Sequence, residues 1–176
     1  MRPDRRVVRA EGFDAVSIYL HFRAVAESEI QDDHSRLAAF MSEAWDDDEA
    51  EYAAGIAYAI NKGWHSVHNL YAAAEALCPD SMDSRELPIY GGSPVPHSAD
   101  ADPSDPPLML LEPPGVAQAA RFLTTVSFDE LWNAVGAGIG ASDRARQEHL
   151  EHHLALREFY ARAASAGHAV VKAVWA

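Results

Sequence analysis

INKGWHSVHNLYAAAEALC, residues 60–78, is the stretch on which the reading of the whole chain turns. Wound at 3.6 residues per turn, Ile60, Trp64, Val67, Leu70, Tyr71, Ala74 and Leu77 fall within one arc of roughly 140°. That arc is a core-facing stripe with an aromatic anchor. His68 borders it one turn after Trp64, Asn61 falls beside it, and His65 points towards the polar side. An apolar face edged by a tryptophan and an imidazole is either a packed core helix or the wall of a pocket, and the periodicity fits both. Gly63 interrupts the pattern. Either the helix runs through it, at about 1 kcal/mol relative to alanine, or Asn61 caps a new helix and residues 59–63 form a junction.

Upstream of this stretch, Val16, Ile18, Leu20 and Phe22 alternate with Ser17, Tyr19, His21 and Arg23, the clearest strand in the chain. His21 falls on its polar face and reads as solvated. Residues 26–45 read as a helix packing through Ile30, Leu37, Phe40 and Met41, and residues 51–59 as a further, alanine-rich one. Between Glu27 and Glu51 lie ten carboxylates against one arginine, Arg36. Asp46, Asp47 and Asp48 mark a helix break and cap, because aspartate favours caps over helix interiors. So dense a run of carboxylates reads first as a solvated face and second as a docking surface for a basic partner.

Downstream, Pro79 ends the helical stripe. Seven of the ten prolines lie in residues 79–107, together with the Gly91–Gly92 pair, which makes this a long irregular loop. Leu87, Ile89 and Tyr90 suggest a short strand or tight turn inside it. Leu108–Leu111 reads as a short buried strand, and Pro113–Pro114 open a helix to about residue 123. Ser127-x-x-Glu130 is a capping box for the next helix, which the glycines at 136, 138 and 140 close. A third helix spans about 142–166 with Leu156, Phe159, Tyr160 and Ala163 on one face. Gly167 is its expected C-cap, and residues 168–175 form a final strand. Strands near 16–23, 108–111 and 169–175, separated by groups of helices, predict one α+β domain over residues 15–176 with a small sheet. Residues 1–14 are expected to be a mobile arm.

With 176 residues, 48% hydrophobic content and four tryptophans, the chain has the composition of a globular protein. A net charge of −13 argues against nucleic acid and against an anionic membrane surface, since both are bound largely through Lys and Arg. It leaves room for a basic protein partner. The single cysteine, Cys78, excludes an intrachain disulfide framework and reads as a small buried hydrophobe. Although residues 1–9 hold four arginines, the apolar run from Ala15 to Leu20 is too short for a secretory signal, so a cytoplasmic location is expected.

Several stretches together resemble a known family. These are IYLHFRAVAESEI near the N-terminus, the signature Asn61-Lys62-Gly63-Trp64-His65-Ser66-Val67-His68, the Ile89-Tyr90-Gly91-Gly92 turn, the strand and proline-started helix of 110–116, and the closing helix and strand of 156–175. In this order they resemble the YfbM-like family, a bacterial domain family of unknown function, over roughly residues 16–176. The chain departs from the pattern with Ala59 and Asn61 where acidic residues precede the lysine, and with Gly63 in place of alanine. The resemblance implies a single α+β domain and no established activity.

His65 and His68 are spaced to share a metal in principle, but no acidic or cysteine ligand accompanies them, so His68 reads as structural. His149, His152 and His153 do not form HExxH and read as a solvated or adventitiously metal-binding helix face. No motif supports a nucleophile, a metal or a cofactor. The expected function is a non-catalytic protein-binding module, of the type of an immunity-type inhibitor of a basic toxin, with Asp46, Asp47 and Asp48 as candidate docking residues. The alternative is a small-molecule-binding protein or enzyme with a pocket around Trp64, His65, His68, Tyr90, Gly91 and Gly92.

Overall fold

A computed structural model describes residues 18–30, 33–46, 48–77, 84–97, 102, 105–140 and 142–175. The expected arm, the first two residues of the opening strand, Asp47 and Cys78 lie outside these. The opening alternation forms β1 (Tyr19–Val25), and the closing apolar run forms β5 (Ala169–Trp175). These two strands pair antiparallel along their whole length, from Tyr19 opposite Trp175 to Val25 opposite Ala169. On the far side of β5 lies β4 (Leu108–Leu111), so the three predicted strands are consecutive neighbours in one sheet.

Two further strands complete the sheet, in the order β2-β1-β5-β4-β3, with every pairing antiparallel. β2 (Ala57–Asn61) occupies residues that the alanine content assigned to a helix. The open edge of β1 overrides that propensity, with Tyr58 set opposite Phe22 and Ile60 opposite Leu20. At the other edge, β3 (Ser93–Val95) has a proline as its middle residue.

Helices cover both faces of the sheet. On one face, α1 (His34–Asp46) lays Leu37, Ala38 and Met41 against Val171, Ala173 and Leu108. Asp33 caps it, its Oδ1 accepting from the Arg36 amide at 3.3 Å. The short α2 (Asp48–Ala54) follows, and the break expected at the aspartates falls on Asp47, outside the described residues. This covering overturns the reading of His21 as solvated. Its side chain is fully buried, and its Nε2 lies 3.2 Å from the Tyr52 hydroxyl of α2. Strand alternation separates two faces but does not say that the second is open.

On the opposite face, Leu20, Phe22 and Val170 meet α3 (Trp64–Ala72), α5 (Pro113–Thr125), α6 (Phe128–Gly140) and α7 (Asp143–Ala166). The proposed C-cap of α7 is present. Gly167 takes the left-handed conformation at φ 67°, and at the other end of α7 the Ser142 hydroxyl accepts from the Ala145 amide, a cap not named from the sequence. Ser127 likewise accepts from the Glu130 amide at 3.4 Å. The stripe of residues 60–78 is shorter than its periodicity suggested. Ile60 belongs to β2, Ala73 separates α3 from a single turn, α4 (Ala74–Leu77), and Leu77 is 42% exposed. Gly63, rather than Asn61, occupies the N-cap of α3.

Candidate functional site

The turn that carries Tyr90 is folded back on itself. The amides of Tyr90 and Gly91 both donate to the Glu86 carbonyl, at 2.9 and 2.7 Å. Three side chains fix it from beneath. Ile89 is fully buried, the Tyr160 hydroxyl donates to the Pro88 carbonyl at 2.8 Å, and Lys172 Nζ donates to the carbonyls of Leu87, Ile89 and Gly91. Both glycines are required by this packing. A Cβ on Gly91 would meet the Leu87 Cα at 2.4 Å. Gly92 sits at φ +128°, with the Leu110 carbonyl 2.9 Å from where a Cβ would stand.

This geometry brings Tyr90 onto α3. Its hydroxyl shares a hydrogen bond with His65 Nδ1 at 3.0 Å. Its ring meets that of His68 edge-on, with centroids 4.6 Å apart. Four of the six residues proposed from sequence for a pocket, Trp64, His65, His68 and Tyr90, therefore form one patch, and Gly91 and Gly92 shape the turn beside it. Trp64 and Tyr90 are partly buried and His65 is exposed.

Glu86 and Arg85, which sequence reasoning missed, border the patch. Glu86 Oε2 lies 3.8 Å from His68 Nε2, and Arg85 pairs with both Glu75 and Glu86. Burial lowers the His68 pKa, and the Glu86 carboxylate opposes that shift. Burial raises the Tyr90 pKa. The other nitrogen of His68, Nδ1, is buried without a hydrogen-bond partner.

The histidines of α7 have a different role from the solvated face expected of them. His149 and His153 are buried, and all three reach across to neighbouring elements. His152 Nδ1 lies 2.6 Å from the Tyr58 hydroxyl on β2, and His153 Nδ1 lies 3.3 Å from that of Tyr71 on α3. His149 Nε2 is 2.9 Å from Ser66 Oγ, while its Nδ1 is 2.8 Å from the Ala145 carbonyl. That last pair has the outline of a serine–histidine dyad. However, Ser66 Oγ also lies 2.8 Å from the Gly63 carbonyl, so its one hydrogen is contested, and His149 is only 7% exposed. The pair acts as a tie between α3 and α7. Among the described residues, no group of three or more His, Cys, Asp or Glu side chains is placed to hold a metal ion.

In the acidic segment, Glu51 is not a solvated carboxylate. It pairs with Arg23, and both side chains are nearly buried, whereas Glu43, 3.8 Å from the same arginine, is 75% exposed. Asp47 and the side chains of Asp46 and Asp48 lie outside the described residues. No helix among the described residues is long and apolar enough to cross a membrane.

A family model described as "Domain of unknown function (DUF1877)" matches residues 16–172. Among solved structures, the chain is similar to YfbM from Escherichia coli, a protein of unknown function, at 14% identity and a TM-score of 0.53. The likeness covers 89% of this chain and 99% of that one, and at such identity it shows the fold alone. No curated protein matches the chain.

Proposed function

We propose, for a chain that belongs to the DUF1877 family of unknown function, a role as a protein-binding module that docks a basic protein partner on the Trp64–His65–Tyr90 patch. The observation that carries this reading is the convergence of these side chains, from two separate segments, into a partly exposed aromatic surface tied by the His65–Tyr90 hydrogen bond. Tryptophan and tyrosine are enriched among the few residues that dominate the affinity of protein interfaces. A preformed platform also lowers the ordering cost of association. The aromatic faces beside the half-exposed carboxylate of Glu86 suit an arginine or lysine of the partner, and the net charge of −13 favours its approach. An immunity-type inhibitor of a basic toxin is the narrower form of this proposal.

The test is a titration of isotope-labelled protein with a nona-arginine peptide, followed by NMR. The expected result is movement of the Trp64 indole N–H and of the Tyr90 amide, with binding weakened about tenfold, roughly 1.4 kcal/mol, in Trp64→Ala. Shifts confined to α1 and α2, with Trp64→Ala binding normally, would overturn the proposal. The small-molecule alternative is favoured by one observation, the unpartnered Nδ1 of His68 beside the patch. It requires that a compound retained from cell extract be lost from His68→Phe and kept by Trp64→Ala.

A further inference from the structure

We propose that Lys172 is the positioning residue of this patch: its buried ammonium group holds the Leu87–Gly91 turn to the sheet through three backbone carbonyls, and so places Tyr90 against His65 and His68. The functional consequence rests on the docking reading above; the chemistry does not.

Lys172 is the only charged residue in β5, opposite Phe22 on one side and Met109 on the other, and is 1% exposed. No ion pair among the described residues includes it. Its Nζ lies 2.6 Å from the Leu87 carbonyl, 3.2 Å from that of Ile89 and 2.7 Å from that of Gly91. An ammonium has three hydrogens and no lone pair, so three oxygens around one nitrogen match it hydrogen for hydrogen. A neutral amine has only two hydrogens and would turn its lone pair on the third carbonyl. Burial alone pulls the Lys172 pKa far down, but the three carbonyls stabilise the charged form and oppose that pull. The Phe22 ring centroid, 6.0 Å away, adds a second favourable contact for a cation.

The turn is shaped for this cation. Its carbonyls at alternate positions point inward to one atom, while the amides of Tyr90 and Gly91 are both taken up by the Glu86 carbonyl. The close approach of Gly91 to the Leu87 Cα makes that convergence sterically possible. Without the ammonium, three carbonyls would face an apolar core unpaired, and the turn would have to open to reach water. Tyr90 would leave α3 with it. Lys172 thus acts on the patch through the turn and touches no partner itself.

The experiment compares wild-type protein with Lys172→Met, which keeps the length of the side chain and removes its hydrogens. Hydrogen exchange of the Tyr90 and Gly91 amides is expected to accelerate about 100-fold while that of α7 changes far less. The NMR signal of the Trp64 indole should shift as Tyr90 departs. Unchanged exchange at both amides in a folded Lys172→Met protein would overturn the proposal. Should that variant fail to fold, wild-type protein decides. Lysine side-chain NMR at neutral pH should show one slowly exchanging three-hydrogen ammonium, and a neutral amine in its place would overturn the proposal. The nona-arginine peptide separates this inference from the docking one. A loosened turn with undiminished peptide binding supports the role of Lys172 in the turn and removes the docking site. An unchanged turn removes the role of Lys172, whatever the peptide does.

Discussion

The Tyr71 hydroxyl lies 3.3 Å from Nδ1 of His153, with both side chains buried between α3 and α7. A neutral imidazole accepts this hydrogen bond at Nδ1; an imidazolium would present a second donor to the hydroxyl. Burial, with Arg157 adding to it, lowers the His153 pKa from 6.5 to about 4. Burial likewise lowers that of His152, and it raises that of Tyr71. The unfolded chain therefore binds more protons than the folded one between these two values. Stability from His153 is complete above pH 6.5 and is lost as pH falls towards 4. Chemical denaturation at several pH values should show this slope, and His153→Leu should flatten it. Parallel slopes for the two proteins would exclude His153 as a contributor.

Tyr160 is expected to matter through its hydroxyl as much as its ring. It is fully buried, and its hydrogen bond to the Pro88 carbonyl joins α7 to the turn. Tyr160→Phe leaves that carbonyl without its donor and should cost about 1–3 kcal/mol in urea or guanidinium denaturation. A cost near zero would mean that water replaces the hydroxyl.

Two glycines should respond in opposite ways to alanine. A Cβ at Gly91 would meet backbone 2.4 Å away, so Gly91→Ala must displace the turn and should destabilise by more than about 2 kcal/mol. At Gly63, φ is −87°, and a Cβ would meet nothing closer than 3.5 Å. Gly63→Ala should therefore be neutral or stabilising, by up to about 1 kcal/mol, through a more restricted unfolded chain. Thermal melts of the two variants check both signs.

The acidic segment should divide into two kinds of carboxylate. Glu51→Gln leaves the nearly buried Arg23 short of its main counter-charge and should cost about 1–3 kcal/mol. Changing Asp46, Asp47 and Asp48 together to asparagine should leave stability within about 1 kcal/mol of wild type. If the segment steers a basic partner, the triple variant should associate more slowly than wild type, by a margin that shrinks as salt rises. An on-rate unchanged at low salt would leave those aspartates with solubility alone.

The elements legible in the sequence are those whose signals are local. β1 alternates, α7 ends at Gly167, and α5 opens on paired prolines. β2 was hidden because Ala57 and Ala59, continuing the alanine-rich run before them, mask the two strand formers Tyr58 and Ile60, and it is fixed by pairing with β1. β3 was hidden because three residues including a proline show no periodicity. In the candidate site, the Trp64–His68 signature and the glycine pair beside Tyr90 were visible, whereas their contact across the fold was not. The histidine–tyrosine pairs join residues 82 and 94 positions apart, a distance no local pattern encodes. Lys172 did leave a trace, a solitary cation in the otherwise apolar run from Ala169 to Trp175.

Pro94, at the middle of the three-residue β3, has no amide hydrogen to offer. An outermost strand normally invites a foreign chain to extend the ladder, and fibrils grow by that kind of recruitment. Here the border is short, exposed and lacks a donor at its centre. A stray strand arriving on this flank finds too few amides to bind. The same proline that hid β3 from a pattern search thus guards the molecule against self-propagating aggregation from that side.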